Sequence, residues 1–404
     1  MRPLLIFPVL QMTEFGEIRL KPNAERRIRV GHSWIYSNEI DTARTALKAM
    51  APGQLANVVD ARGKAVGTAY AHPNSLIAAR LLSRKPDAVP DADWFGRRLQ
   101  RALSLREALY PTPHYRLVYG ESDGLPGLVV DRFDDVLVLQ ISTAGMENLK
   151  PVIIEALQQL LKPRGMLLRN DSGARDMEAL PKGIEVIGNP GETCEVMESG
   201  VRFQAEIQSG QKTGWFYDQR DNRDRLARYV PGKRVLDVFS YAGAWAVRSL
   251  ASGAASAACV DSSQPALDSA QANAAANGVE VEVVRGSALD VLKQMRTDAR
   301  SFDVVIVDPP ALIKRRKDHT AGLEHYASLN RAAMALLTPG GTLISCSCSF
   351  HLAEEDLLRV LLREARAQNR QLQVLERGGQ GPDHPVHPAI TETRYLKAFY
   401  CRLS

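Results

Sequence analysis

Cys348 and Asp308 are the residues of this 404-residue chain whose types and settings can do chemistry. Cys348 ends the stretch Gly340-Gly341-Thr342-Leu343-Ile344-Ser345-Cys346-Ser347-Cys348, and Asp308 opens the turn Asp308-Pro309-Pro310 after Phe302-Asp303-Val304-Val305-Ile306-Val307. An ionised thiol is a reversible nucleophile toward carbon. A carboxylate and carbonyls fixed by two prolines form a rigid acceptor array that suits the edge of a planar nitrogenous base. Cys346 lies two residues earlier and shares a face with Cys348 if the strand stays regular. Cys348 is favoured because it is nearer the carboxyl end of the strand, where ligands gather in parallel sheets. The plain structural reading of either sulfur is a small buried hydrophobe. A Cys-Ser-Cys zinc half-site is excluded by spacing: His351 stands alone, and His384 and His387 lie among prolines. No metal is expected.

Five apolar runs, 235–239, 256–260, 280–285, 302–307 and 342–347, alternate with helical stretches such as 264–276 and 321–337. Short buried strands alternating with helices predict a doubly wound α/β sheet of parallel strands, with ligands beyond their carboxyl ends. The first such loop, Asp237-Val238-Phe239-Ser240-Tyr241-Ala242-Gly243-Ala244, holds small residues that let a backbone approach a ligand and leads into a helix N-terminus. Asp261 ends the second run 24 residues after Asp237, where an acidic side chain can accept the hydroxyls of a cofactor ribose. Its plainer reading is an N-cap for the helix near Pro265.

Taken together, VLDVFSYAG, Asp261, VDPP and the cysteine-bearing fifth strand resemble class I S-adenosylmethionine-dependent methyltransferases. The strings QSGQKTGWFYDQRDNR (208–223) and GESDGLPGLVVDRF (120–133) are similar to the RlmI family of large-subunit ribosomal RNA cytosine-C5 methyltransferases, and the likeness spans nearly the whole chain. That resemblance implies a Rossmann-like domain with a seven-stranded, mostly parallel sheet, S-adenosylmethionine as cofactor, and C5 methylation through a covalent Cys348 adduct at C6, assisted by Asp308. It assigns Ser240, Tyr241, Ala242 and Gly243, with Asp237, to the methionine end of the cofactor. Asp261 and Ser262 fall to its ribose, Gly286 and Ser287 to its adenine, and Thr213, Gly214 and Arg220 to the approach to its carboxylate. Asp308 and Pro309 face the target base. One departure stands out: Ser287 occupies the place where the family commonly has an Asp. A hydroxyl still bonds an exocyclic amine, so this bears on cofactor affinity and not on the chemistry. The plain role of Arg220 is a surface ion pair with Asp218 or Asp224.

The length suggests two or three domains. The five cysteines, odd in number and mostly on apparent strands, fit a reducing cytoplasm rather than a disulfide framework. The opening MRPLLIFPVLQM is short and broken by Pro8, so it reads as neither membrane span nor signal peptide but as an extension before a fold beginning near Glu14. Residues 1–113 carry 17 basic and 10 acidic side chains, an excess larger than the chain's net +5. Arg26, Arg27, Arg29, Arg97 and Arg98 there, with Trp34, and Lys314 and Arg315 farther on, are the candidates for meeting RNA. A solvated basic face is the plain alternative, and core packing is that for Trp34.

Three domains are expected: 14–85, a β-rich pseudobarrel; 86–205, a helix over 91–110 and a small α+β domain with a hairpin at Asp134-Asp135; and 206–404, the catalytic domain. The first resembles a PUA domain, with Gly31-His32-Ser33-Trp34-Ile35-Tyr36 as its most family-like string. Glu121-Ser122-Asp123-Gly124 reads as a tight loop and not a metal site. Ribosomal RNA, 23S or its precursor, is the expected partner, and a second copy of the chain is the other candidate. Two alternative functions stand beside the main one: methylation of a purine nitrogen, which needs no thiol, and a non-catalytic RNA-binding assembly factor.

Overall fold

The computed structural model describes residues 15–404, so the extension read at 1–13 and the boundary at Glu14 lie outside the described residues. The chain forms two compact units. One comprises the residues up to Cys194 with Glu206–Trp215 and Asp383–Thr393, and the other comprises Glu195–Ala205, Phe216–Pro382 and Arg394–Ser404.

The first unit holds two five-stranded sheets. The earlier one runs in the order Gly16–Arg19, Leu55–Val59, Ala65–Ala71, Ile77–Ser83, Trp34–Tyr36, antiparallel except where Gly16–Arg19 meets Leu55–Val59 in parallel. Alternation along these strands puts Ile18, Ile35, Ala56, Val58 and Ala69 into one core. The turn after Val59 forms because Asp60 Oδ1 accepts the N–H groups of Arg62 and Lys64, both at 3.0 Å. The second sheet, in the order Gly183–Gly188, Gly165–Asn170, Val136–Ile141, Leu128–Phe133, His114–Tyr119, shares a core with helices Ala92–Leu109 and Lys150–Leu161. Asp91 starts the first of these helices, its carboxylate accepting from Trp94 N at 2.8 Å.

In the loop read as structural from the sequence, Asp123 takes both terminal nitrogens of Arg106, at 2.6 and 2.8 Å, and Glu121 takes the Trp34 indole N–H at 2.9 Å. Both carboxylates are occupied in holding the unit together.

The second unit is built on a seven-stranded sheet in the order Glu282–Arg285, Ser256–Asp261, Arg234–Val238, Phe302–Val307, Leu337–Ser347, Lys397–Leu403, Leu372–Gly378. The first five strands are parallel, and Lys397–Leu403 runs antiparallel to both its neighbours. Central strands are apolar on both faces because helices cover both: Val304, Val305, Ile306 and Val307 are all sealed from solvent. Truncating Ile306 to Ala there costs about 2–5 kcal/mol. Helix Gln264–Ala276 follows from an alanine-rich run, a proline in its first turn and a Ser263 cap. The strand order reverses between Arg234–Val238 and Phe302–Val307, and a crevice opens at the carboxyl ends of such a pair.

Candidate active site

Strands Phe302–Val307 and Leu337–Ser347 pair with Val307 opposite Ser345, so the Asp308 turn and Cys348 emerge from neighbouring strands at the same end of the sheet. The Cys348 sulfur lies 3.8 Å from the Pro309 carbonyl oxygen. Both flanking residues are pinned: the Tyr326 hydroxyl bonds Ser347 Oγ at 2.7 Å and Ser349 Oγ at 3.0 Å, and Ser349 Oγ accepts from Ile313 N at 3.1 Å. Cys348 is half-buried while Cys346 is fully sealed. Burial first, and the negative charge of Asp308 second, push the Cys346 thiol well above its usual range. A thiol held neutral in the core is a poor nucleophile.

Asp308 accepts from Gln219 Nε2 at 2.9 Å and from the Trp245 indole N–H at 3.1 Å. Burial outweighs these bonds, and with Asp218 close by it pushes the Asp308 carboxyl up to about 6. On the adjacent strand, Asp237 is pushed up to about 8, by burial and then by the charge of Asp308. One Asp237 oxygen accepts from Ala246 N at 3.2 Å, while Oδ1 is buried with no hydrogen-bond partner among the described residues.

The loop after Arg234–Val238 is strained. Phe239 (φ 67°) and Tyr241 (φ 47°) both adopt left-handed backbone, which bulky residues rarely take. The Phe239 and Ser240 N–H groups both donate to the Val260 carbonyl, at 2.9 and 3.1 Å, and hold the loop in place. Gly243 (φ 73°) is required for two reasons, since a Cβ there would also stand 2.7 Å from the Ala270 Cβ.

The N-cap reading of Asp261 is corrected: its carboxylate accepts from Tyr241 N at 3.0 Å and Ser263 N at 2.9 Å, and the cap is Ser263, whose hydroxyl accepts from Ala266 N. Asp261 thus ties the first two loops together, and its main-chain carbonyl takes the Gly286 N–H at 3.0 Å. Ser262 and Ser287 are exposed, and Ser287 opens helix Ala288–Thr297 without a side-chain cap bond.

Arg220 is buried and not at the surface as its plain reading had it, with its Nε 3.7 Å from Glu198 and its guanidinium 5.0 Å over the Tyr217 ring. Glu198 is also gripped by both ends of Arg223, at 2.9 and 2.7 Å. Thr213 and Gly214 belong to the first unit. The Thr213 hydroxyl is buried with no hydrogen-bond partner among the described residues, and Gly214 (φ 100°) has no room for a Cβ, which would sit 2.8 Å from the Glu206 carbonyl oxygen. Sequence reasoning missed Gln219, Arg223, Trp245 and Glu198, because none of these types announces chemistry without its partner.

Residues 181–402 match the family model of S-adenosylmethionine-dependent methyltransferases, and residues 18–84 match that of PUA-like domains. The ribosomal RNA large subunit methyltransferase I of Erwinia tasmaniensis is 36% identical over 392 residues, covering 95% of this chain and 98% of the relative. That of Klebsiella pneumoniae is 36% identical over 397 residues, covering 96% and 98%. The chain belongs to the ribosomal RNA large subunit methyltransferase I family. Among solved structures, SMU.776 complexed with SAH has the same fold, with a TM-score of 0.82 at 20% identity over 96% of this chain and 100% of that one.

The cofactor of this methyltransferase family member is S-adenosylmethionine, which supplies an electrophilic sulfonium methyl. The residues fit it: an unpartnered buried oxygen on Asp237, within a group of carboxyls that burial and mutual repulsion disfavour as anions, calls for a ligand bringing positive charge.

Of the candidates for RNA, Arg27 is tied to Glu39 at 2.7 Å and Arg29 to Asp60 at 2.9 Å, and Trp34 spends its N–H on Glu121 and packs edge-on against Tyr36. Arg26 is exposed, as are Lys314 and Arg315, the last paired with Asp318 at 3.0 Å. Within the first unit, a groove of about 1130 Å³ is lined by Arg84, Lys85, Arg97, Arg98 and Arg101. Arg98 stacks 3.4 Å from the Trp94 ring centroid and donates to the Leu82 carbonyl at 3.0 Å. Burial, then repulsion from Arg101 and Arg97, lowers its pKa to about 10. No carboxylate forms an ion pair with any of these five cations among the described residues; the groove's own acids, Glu121 and Asp123, are engaged elsewhere.

Proposed function

We propose that this enzyme methylates C5 of a cytosine in large-subunit ribosomal RNA, 23S or its precursor, through a transient bond between Cys348 and C6 of the base. The observation that carries this reading is the half-buried Cys348 sulfur 3.8 Å from the carbonyl of Pro309, the residue after Asp308. Carbon 5 of cytosine is a weak nucleophile until a group adds at C6. The Cys348 thiolate forms the S–C6 bond and the π pair shifts toward C5. C5 then takes the methyl as the donor's S–CH₃ bond breaks. Loss of the C5 proton to a base re-forms the double bond and expels Cys348 as thiolate.

Asp308, with a carboxyl near 6, can give a proton or a hydrogen bond to N3 as the ring gains charge, and can take it back as the adduct collapses. Pro309 offers a carbonyl acceptor along the same edge, and Tyr241 on its loop, Asp261 at the end of its strand and Arg220 at the start of its helix are proposed to hold the donor. A nitrogen acceptor is already nucleophilic and would leave a thiol at this place without work.

RNA docking is proposed at the basic groove, where Arg97 and Arg98 are joined by Arg84, Lys85 and Arg101. The cytoplasm is the proposed compartment. Five thiols without a disulfide agree with it, and no helix among the described residues is long and apolar enough to cross a membrane. A homodimer, the other expected partner, is decided by the mass of the purified protein in light scattering. Bisulfite or mass-spectrometric mapping of ribosomal RNA from cells with and without this protein tests the reading. Loss of one 5-methylcytosine on deletion, restored by the wild type and not by Cys348→Ala, is expected; an unchanged 5-methylcytosine map overturns it.

A further inference from the structure

Lys397 opens the strand that runs antiparallel to the cysteine strand, and pairs in register with Ser347. It is a buried lysine whose ammonium donates to the Ser349 carbonyl at 2.7 Å and to the Tyr395 carbonyl at 3.0 Å. The first of those carbonyls belongs to the residue directly after Cys348. Two neutral acceptors do not balance a buried positive charge, and such a charge persists only with an anion at hand.

No carboxylate forms an ion pair with Lys397 among the described residues. Glu354, the acid whose field reaches it, is already bound by Arg377 at 3.2 Å and Arg394 at 2.8 Å, and Arg394 itself repels the ammonium. The remaining neighbour is the Cys348 sulfur. Tyr326, from helix His319–Met334, and Cys346, from the same strand, also register this sulfur's charge, and burial keeps both neutral. Lys397 brings a positive charge to that sulfur.

We propose that Lys397 is the positioning residue that holds Cys348 as its thiolate, the ammonium acting as the sulfur's counterion. This rests on the reading of Cys348 as the nucleophile. The pairing serves the reaction at both ends, because sulfur enters as a thiolate and leaves as one. Burial pulls the lysine pKa down to about 8 even with the sulfur's charge working in the other direction, so each ion sustains the other.

The test is the rate of Cys348 alkylation by iodoacetamide across pH 5–10 in the full chain, with Cys348→Ala as background; the other four cysteines are buried. In the wild type the rate should rise with a midpoint at least about one pH unit below the value of roughly 8.5 for an ordinary cysteine. In Lys397→Met the midpoint should return to or above that value, with alkylation at pH 7 slower by about 10-fold or more, and Lys397→Arg should restore most of the difference. The acidic limb of the kcat profile should move with it. A wild-type midpoint at or above that of free cysteine overturns the proposal whether or not any variant folds, as does an unchanged profile in a folded Lys397→Met. Alkylation reads the ionisation of the sulfur irrespective of turnover. A depressed midpoint without a 5-methylcytosine product would therefore keep the role of Lys397 and sink the reaction assigned to Cys348.

Discussion

The two units treat charge in opposite ways. The catalytic unit takes Asp237, Asp308 and Lys397 out of water, where each shifts in the direction that disfavours its charge. The groove of the first unit leaves Arg84, Lys85, Arg97 and Arg101 exposed, where they stay solvated and cost little to keep. Buried groups act strongly and singly because the medium does not screen them, whereas exposed ones act weakly and in sum. On the proposed assignments, reaction and recognition draw on different physics within one chain. The contrast predicts steep losses from single changes in one unit and shallow, salt-dependent losses in the other.

The sharpest break in that contrast would come from the two cysteines. Cys348→Ala is expected to lower methyl transfer on the order of 10⁴-fold or more while S-adenosylmethionine affinity in calorimetry stays within a factor of a few. Cys346→Ala, two residues away but sealed, should cost stability of about 1 kcal/mol and little turnover. Equal losses from both would show that the open sulfur has no special place. Next in size, Asp308→Asn should cost roughly 10²–10⁴-fold in kcat, because an amide cannot exchange a proton with N3. A change confined to KM would mean that the side chain only binds.

Gly243→Ala forces a Cβ to 2.7 Å from Ala270 in a left-handed backbone, and should destabilise by about 1–3 kcal/mol in chemical denaturation. An unchanged midpoint would mean the loop relaxes easily. In the groove, Arg97→Glu with Arg101→Glu should weaken RNA binding by about 10-fold and flatten the slope of log Kd against log salt by about 1.5, while either single alanine change costs about 2-fold. A salt slope equal to the wild type's would move the RNA elsewhere.

The last effect is on stability against pH. The Asp237 carboxyl rises from an ordinary 3.8 to about 8 in the fold. Below pH 4 both folded and unfolded states hold the proton and the group is silent. Between 4 and 8 the unfolded chain releases it while the fold retains it, so stability falls as pH rises, and the full loss is reached above 8. Asp237→Asn should remove that part of the decline and melt a few degrees above the wild type at pH 8, with no difference at pH 4. Parallel melting curves across the range would show that Asp237 is solvated.

The catalytic sheet was legible where period and composition agreed. The run 302–307 is strand Phe302–Val307, and the stretch 264–276 is helix Gln264–Ala276. Other bounds moved: 342–347 became Leu337–Ser347, because pairing with Phe302–Val307 continues past Gly340-Gly341 with a shift in register, and 321–337 became His319–Met334. The strands Leu372–Gly378 and Lys397–Leu403 carried no such signal, since one is half-exposed and the other opens on a lysine. Cys348, Asp308 and Asp261 stood out in the sequence because each ends or follows an apolar run. Gln219, Trp245 and Lys397 could not, because each gains meaning from a contact 63 or more residues away, or across a sheet, that only folding creates.

The strand bearing Cys348 takes its partner on one side from residues 397–403, some fifty positions further along the chain. On a translating ribosome that edge stays unpaired until the later segment has cleared the exit tunnel. The same event delivers the ammonium beside the sulfur. On the proposed pairing, a nascent chain stalled short of it would carry the thiol in its protonated form, and the sulfur would ionise only once the polypeptide has passed that point.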